Sequence, residues 1–150
     1  MKRKYVTIVT VVVLAIAALT ISAGSLVNNK SGNTAESIQG TWKLVSTNYG
    51  SNPSGFTDLP AMIVRMKLIT DTHFTWVGFS TLDKKVSSSA GGKYTLNGNT
   101  YTESIDFGLN MDAYLGQKQT FTVKVEGDRL FQSGTLSDGL NIAEIWERVK

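Results

Sequence analysis

Residues 90–103 read AGGKYTLNGNTYTE, and residues 119–134 read QTFTVKVEGDRLFQSG. In each stretch two runs of alternating apolar and polar residues flank a turn, Asn97-Gly98-Asn99 in the first and Glu126-Gly127-Asp128 in the second. A period of two is the period of a strand, and Asn-Gly or Gly-Asp supplies the positive φ angles of tight hairpin turns. Both stretches are therefore expected to be β-hairpins. The same signature continues outward in both directions. Eight strands are expected, over Gly40–Tyr49, Ala61–Thr70, Thr72–Thr81, Lys85–Leu96, Thr100–Phe107, Thr120–Glu126, Arg129–Leu136 and Leu140–Lys150. Asp71 and Ser137-Asp138-Gly139 supply two further turns.

Consecutive hairpins pair consecutive strands, so the sheet is an antiparallel up-and-down meander. An open eight-stranded meander would leave two unpaired edges and an uncovered apolar face, and no helical pattern is present to cover them. Closure into a barrel removes both problems. The two long connections, NYGSNPSGFTDLPA (residues 48–61) and GLNMDAYLGQKQ (residues 108–119), fall at the same end of such a barrel. The turns after strands two, four and six are tight and fall at the other. One end is thus closed, and the other is a mouth carrying Phe56, Met111, Tyr114 and Leu115.

The first strand opens GTWKLVS (residues 40–46) and the last ends EIWERVK (residues 144–150). A Gly-x-Trp at the start of the first strand and an Arg late in the last resemble the lipocalin and fatty-acid-binding protein superfamily, the calycin barrels. The mature region as a whole, including THFTWV (residues 72–77) and the two hairpins, resembles small bacterial lipocalin-like domains. The resemblance implies an all-β, eight-stranded antiparallel up-and-down lipocalin-like β-barrel. It also implies that Gly40, Trp42 and Arg148 close the barrel, the guanidinium stacking on the indole, and that a small molecule sits inside.

Alternation sorts the strands by face. It puts Met62, Val64, Met66 and Leu68 inward with Arg65 and Lys67 outward. Also inward are Phe74, Trp76 and Gly78; Gly92, Tyr94 and Leu96; Phe121, Val123 and Val125; and Leu130, Gln132 and Gly134. In strand five Tyr101, Ile105 and Phe107 bring Glu103 inward. In the last strand, Trp146 and Arg148 bring Glu144 with them, whereas the opposite parity brings Glu147. A buried carboxylate needs a partner or takes up a proton. Glu103 or Glu144 either pairs internally with Arg148, Tyr94 or Tyr101, or turns outward at a bulge. Alternatively Glu103, Gln132 and Tyr94 are the polar groups that orient a ligand. The candidate ligand-binding set is Trp76, Tyr94, Glu103, Phe107, Phe121, Gln132, Glu144 and Trp146.

Much chemistry is excluded by composition. The chain has no cysteine and one histidine, His73, expected on the outer face. A Cys/His metal cluster cannot be assembled, and haem ligation through His73 would lack an evident second ligand, so no cofactor or metal is expected. The formal charge of +3 comes from Lys2, Arg3 and Lys4 in the leader, with no acidic residue there. The remainder is formally neutral, which argues against nucleic-acid binding; Lys84-Lys85 reads as a solvated loop end.

A basic start, an uncharged run from Tyr5 to Ala23, and small residues after it have the layout of a secretory signal. The run is also near the length of a membrane span, so residues 6–23 could anchor the chain uncleaved. The expected organisation is a signal peptide or N-terminal membrane anchor helix over residues 1–24, a flexible linker over 25–37 and the barrel domain over 38–150. The expected function is non-enzymatic: an exported protein, periplasmic, cell-surface or secreted, that binds a small hydrophobic or amphipathic molecule in the barrel interior. The alternative is an envelope interaction or inhibitor module with a packed barrel, working through residues 50–60 and 108–117. A barrel isomerase or hydratase with Glu103 as base is a third reading. Nothing in the sequence bears on oligomeric state.

Overall fold

A computed structural model describes residues 36–52 and 54–150 of the chain. The expected signal or anchor (1–24) and linker residues 25–35 lie outside the described residues. Ten strands follow in order: β1 (Gly40–Tyr49), β2 (Thr57–Asp58), β3 (Ile63–Ile69), β4 (His73–Ser80), β5 (Val86–Asn97), β6 (Thr100–Ser104), β7 (Phe107–Leu109), β8 (Lys118–Glu126), β9 (Arg129–Thr135) and β10 (Asn141–Arg148). Eight of them form a closed antiparallel barrel in the order β1-β3-β4-β5-β6-β8-β9-β10, with β10 pairing back onto β1. Two short strands are appended to it, β2 on β1 and β7 on β5. No helix occurs among the described residues. The meander and its closure are as expected, and the expected fifth strand is split into β6 and β7.

That split is a bulge. Tyr94 pairs with Glu103, but Gly91 pairs with Phe107, so β6–β7 holds one residue more than β5 does over the same length. The Asp106 amide returns to the Gly91 carbonyl at 2.9 Å. At Gly92 the Ser104 carbonyl comes so close that no Cβ would fit. An inserted residue exchanges the faces beyond it. Ile105 stays buried, while Phe107 is turned out to 57 % exposure and lies against Gly91 on the outer face.

β3 departs further from expectation, because both of its faces are reversed. Lys67 is 1 % exposed, and Leu68 and Met62 are 45 % and 52 % exposed. The cause is the turn to β4. The Thr70 amide donates to the His73 carbonyl at 2.9 Å, leaving Asp71 and Thr72 as a two-residue loop and setting Ile69 opposite Phe74. Directly opposed residues share a face. Phe74 points inward, so Ile69 and Lys67 do too; Lys67 lies between Trp42 on β1 and Trp76 on β4. A loop of Asp71 alone would have given the opposite parity. The remaining faces follow the expected pattern, except that Leu96, at the end of its hairpin, is 44 % exposed. His73 is exposed, as expected.

The closed end is built on Trp42, which is fully buried. Its indole Nε1 donates to the Ile38 carbonyl at 2.8 Å, and the Arg148 guanidinium lies 4.1 Å from its ring centroid. Arg148 then donates to the Gln39 and Ser37 carbonyls at 2.7 and 2.9 Å, tying the chain before β1 to the last strand. Gly40 permits this arrangement. Its φ is +133°, and a Cβ there would lie 2.6 Å from Arg148 Nη1. The Gly-x-Trp motif is therefore a space requirement of the arginine as much as a turn requirement.

Trp42→Ala is expected to destabilise the barrel by about 3–5 kcal/mol, as for other fully buried large aromatics. Arg148→Met, which loses the stacking and the two backbone bonds, is expected to cost about 1–2 kcal/mol. Urea denaturation followed by far-UV circular dichroism measures both; a Trp42→Ala cost below about 1 kcal/mol would contradict this view of the closed end.

Candidate functional site

Above the closed end the barrel is hollow. A cavity of about 230 Å³ is lined by side chains from β1, β3, β4, β5, β6, β8, β9 and β10 and from the mouth loops. Its apolar wall includes Trp76, Ile105, Phe121, Leu136, Ile142 and Trp146. Eight strands leave an interior just wide enough for side chains or one small ligand. This volume is below the usual range of drug-sized sites, so only a small molecule fits.

The polar groups form two clusters. In the first, Lys67 Nζ donates to Glu103 Oε1 at 3.0 Å and to Gln132 Oε1 at 2.8 Å, all three side chains being buried. The ammonium also lies 4.8 Å from the Trp146 ring centroid and 5.7 Å from that of Tyr101. Its attraction to these rings and its two acceptors replace the water it has lost. Burial pushes the Glu103 carboxyl above the usual carboxylate range, a rise that the Lys67 ammonium opposes and the charge of Glu144 reinforces. Tyr101 is buried beside this pair; its hydroxyl has no hydrogen-bond partner among the described residues, and burial, then the charge of Glu103, pushes its acidity far down.

In the second cluster Glu144 accepts from Tyr49 Oη at 2.5 Å and from Trp146 Nε1 at 3.1 Å. Arg65 Nη1 donates to Tyr49 Oη at 3.1 Å and lies 3.7 Å from Glu144 Oε1. Its guanidinium is stacked 4.7 Å from the Trp76 ring centroid. Burial first, and the Glu144 charge second, raise the Tyr49 phenol well above its ordinary value, so it stays a donor to Glu144. A bulge puts Tyr49 there. Leu44 pairs with Trp146 but Ser46 with Ile145, so β1 gains a residue at Val45 and Tyr49 comes opposite Ile142 on the inner face.

Six of the eight expected ligand-binding residues line this cavity: Trp76, Glu103, Phe121, Gln132, Glu144 and Trp146. Two do not. Phe107 is outside because of the β6–β7 bulge. Tyr94 is on the inner face but belongs to the closed half, its ring 5.1 Å from Tyr101 and its hydroxyl donating to the Thr70 carbonyl at 2.7 Å. Glu103 and Glu144 do pair internally, with Lys67 and with Tyr49 and Arg65, and not with Arg148. Of the expected mouth residues, Met111 and Tyr114 line the cavity, whereas Phe56 and Leu115 do not. Tyr114 donates to Asp138 at 2.6 Å, joining two mouth loops.

Five polar lining residues were outside the sequence expectation: Tyr49, Arg65, Lys67, Ser88 and Gln119. Gln119 lies two residues before Phe121 and follows from extending that strand's alternation. Arg65 and Lys67 follow from charge balance, since two inward carboxylates require inward cations. Tyr49 depends on a bulge that leaves no mark in the sequence. No group of three or more potential metal ligands occurs among the described residues.

A closed eight-stranded barrel with a lined interior is the architecture of a lipocalin-like protein. Residues 37–150 match the model of the family described as a domain of unknown function, DUF4488, and the chain belongs to that family. Two solved structures share the fold. One is a lipocalin-like protein from Bacteroides uniformis, with a TM-score of 0.54 and 18% identity over 74% of this chain and 97% of that one. The other is an uncharacterized protein from Bacteroides eggerthii, with a TM-score of 0.53 and 10% identity over 74% of this chain and 98% of that one. At these identities the likeness concerns the fold alone. No curated protein matches the chain.

The Lys67–Glu103 pair can be tested by a double-mutant cycle. Lys67→Met leaves a carboxylate buried without its cation and is expected to cost about 3 kcal/mol at pH 7. Glu103 in the folded state already titrates above its unfolded value. Its protonated form therefore favours folding below the unfolded pKa, and that contribution is lost as pH rises. The Lys67→Met penalty is expected to shrink as pH falls toward 5, and Lys67→Met/Glu103→Gln is expected to recover most of it. Urea denaturation across pH gives the cycle; additive single-mutant costs would contradict the pairing.

Proposed function

We propose that this protein is an exported, non-enzymatic binding protein that holds one small amphipathic molecule inside its barrel. The observation that carries the reading is the cavity: about 230 Å³, walled by aromatic and aliphatic side chains and presenting a few fixed polar groups. The polar groups already hold one another in place, so a ligand meets an organised surface and loses little free energy to reordering it. The packed-barrel alternative needs a filled interior, and the cavity speaks against it. The export part rests on the sequence of residues 1–24, with the leader either cleaved or retained as an anchor.

Nothing in the cavity favours a catalytic reading. Glu103 hydrogen-bonds the Lys67 ammonium and is thereby engaged rather than free to act as a base. The lipocalin resemblance of the Gly40-x-Trp42 and Arg148 motif implies a small molecule in the interior, which supports binding over turnover.

The test is a titration of the full-length protein with 4-phenylbutan-1-ol, followed through tryptophan fluorescence, since Trp76 and Trp146 line the cavity. Saturable quenching is expected, with loss of binding in Leu136→Trp, where a larger side chain fills space at the mouth. Leu136 is only partly buried, so the fold is expected to survive, which a thermal melt checks. Equal binding by Leu136→Trp and the parent would place the probe elsewhere; absence of binding by this and related small amphiphiles would contradict the proposal.

A further inference from the structure

We infer that the ligand is a small monocarboxylate, its carboxylate held by Arg65 and Ser88 across Gly78. The inference rests on the binding reading above and narrows it to a charge and a position.

Arg65, Gly78 and Ser88 are direct cross-strand partners on β3, β4 and β5, so they form one row on the inner face. Gly78, at the centre of the row, is buried and carries no side chain. A Cβ there would lie 3.0 Å from Ser88 Oγ and 3.7 Å from Arg65 Nε. The row is thus a niche with a guanidinium on one side and a hydroxyl on the other, and both residues line the cavity. Ser87 Oγ, 3.6 Å from that Cβ position, donates to the Gly78 carbonyl, and a planar guanidinium beside the remaining Ser88 hydroxyl suits a planar group with two oxygens.

Among the cavity's cations, Arg65 has donors to spare. Lys67 is enclosed by two acceptors and two aromatic rings. Arg65 gives one N–H to Tyr49, and its contact with Glu144 at 3.7 Å is too long for a hydrogen bond. Glu144 in turn is satisfied by Tyr49 and Trp146. The Arg65 side chain keeps 27% of its surface accessible, and Trp76 behind it holds the guanidinium plane in position. A cationic head at this position would meet the Arg65 guanidinium, while the cavity's two carboxylates are already engaged, Glu103 by Lys67 and Glu144 by Tyr49 and Trp146. A neutral amide head offers the free Arg65 N–H donors one oxygen, where a carboxylate offers two in the plane of the guanidinium. The body of the ligand would then lie against Ile105, Phe121, Leu136 and Ile142, in a volume that admits a ring or a short chain and excludes a long acyl chain.

Calorimetric titration of the full-length protein with 4-phenylbutyrate, 4-phenylbutanamide and 4-phenylbutylamine at pH 7 tests the inference. The acid is expected to bind at least about tenfold more tightly than the amide, and the amine more weakly than either. Arg65→Gln and Gly78→Ala are each expected to bring the acid down to the amide's level, and high salt to weaken the acid alone. Should Arg65→Gln fail to fold, Ser88→Ala and the parent's own acid-to-amide ratio still decide the matter. Equal affinity for acid and amide, with Leu136→Trp blocking both, would overturn the carboxylate assignment and leave the binding reading standing. Binding of none of the three would overturn both.

Discussion

A lysine ammonium enclosed in a barrel has to be answered from within the barrel, and the interior of this protein is organised around that requirement. Lys67 reaches Glu103 on β6 and Gln132 on β9, so one side chain ties together three strands that are not neighbours. A pair of this kind adds little to net stability, because both ions have lost their water. Its consequence is specificity. With Lys67 inside, β3 can adopt only one parity, and the register of the strands on either side is fixed with it.

The barrel is regular at the closed end and irregular toward the mouth. Around Trp42 and Arg148 the pairing is continuous, and the aromatic side chains fill the space. Nearer the mouth, β1 gains a residue at Val45, β6–β7 gains one after Ser104, and β4 and β5 shift register between Gly78 and Phe79. Two of these irregularities re-aim side chains: Tyr49 in toward Glu144 and Phe107 out onto Gly91. Bulges concentrate where a sheet must do something other than pack, and here they surround the cavity. The division of labour supports a scaffold at one end and a binding surface at the other.

The fold was legible because its signals are local. Turn chemistry at Asn97-Gly98 and Gly127-Asp128, alternation between the turns, and Gly40-x-Trp42 with Arg148 give eight strands and their closure. Six cavity residues were legible for the same reason, since alternation alone carries Trp76, Phe121 and Trp146 inward together with Glu103, Gln132 and Glu144. The errors arose wherever a one-residue change of register decided the face. In β3 both faces carry apolar residues, Ile63 and Ile69 on one and Val64, Met66 and Leu68 on the other, so hydrophobicity could not choose. The choice came from a two-residue turn at Asp71-Thr72 and from the need to neutralise Glu103. Tyr49 and Phe107 were displaced by bulges whose geometry depends on contacts with distant strands. Such contacts are a property of the closed barrel and have no signature in the residues themselves.

The central claim is that the barrel interior holds a fixed cation at the edge of a cavity that a small molecule can enter. Nitrogen-detected NMR of the lysine ammonium groups, with and without 4-phenylbutan-1-ol, tests it most directly. One ammonium resonance is expected to be protected from solvent exchange, to vanish in Lys67→Met, and to shift as the cavity fills. If every lysine ammonium exchanges freely, or if the Lys67 resonance ignores a ligand that is demonstrably bound, the account is contradicted.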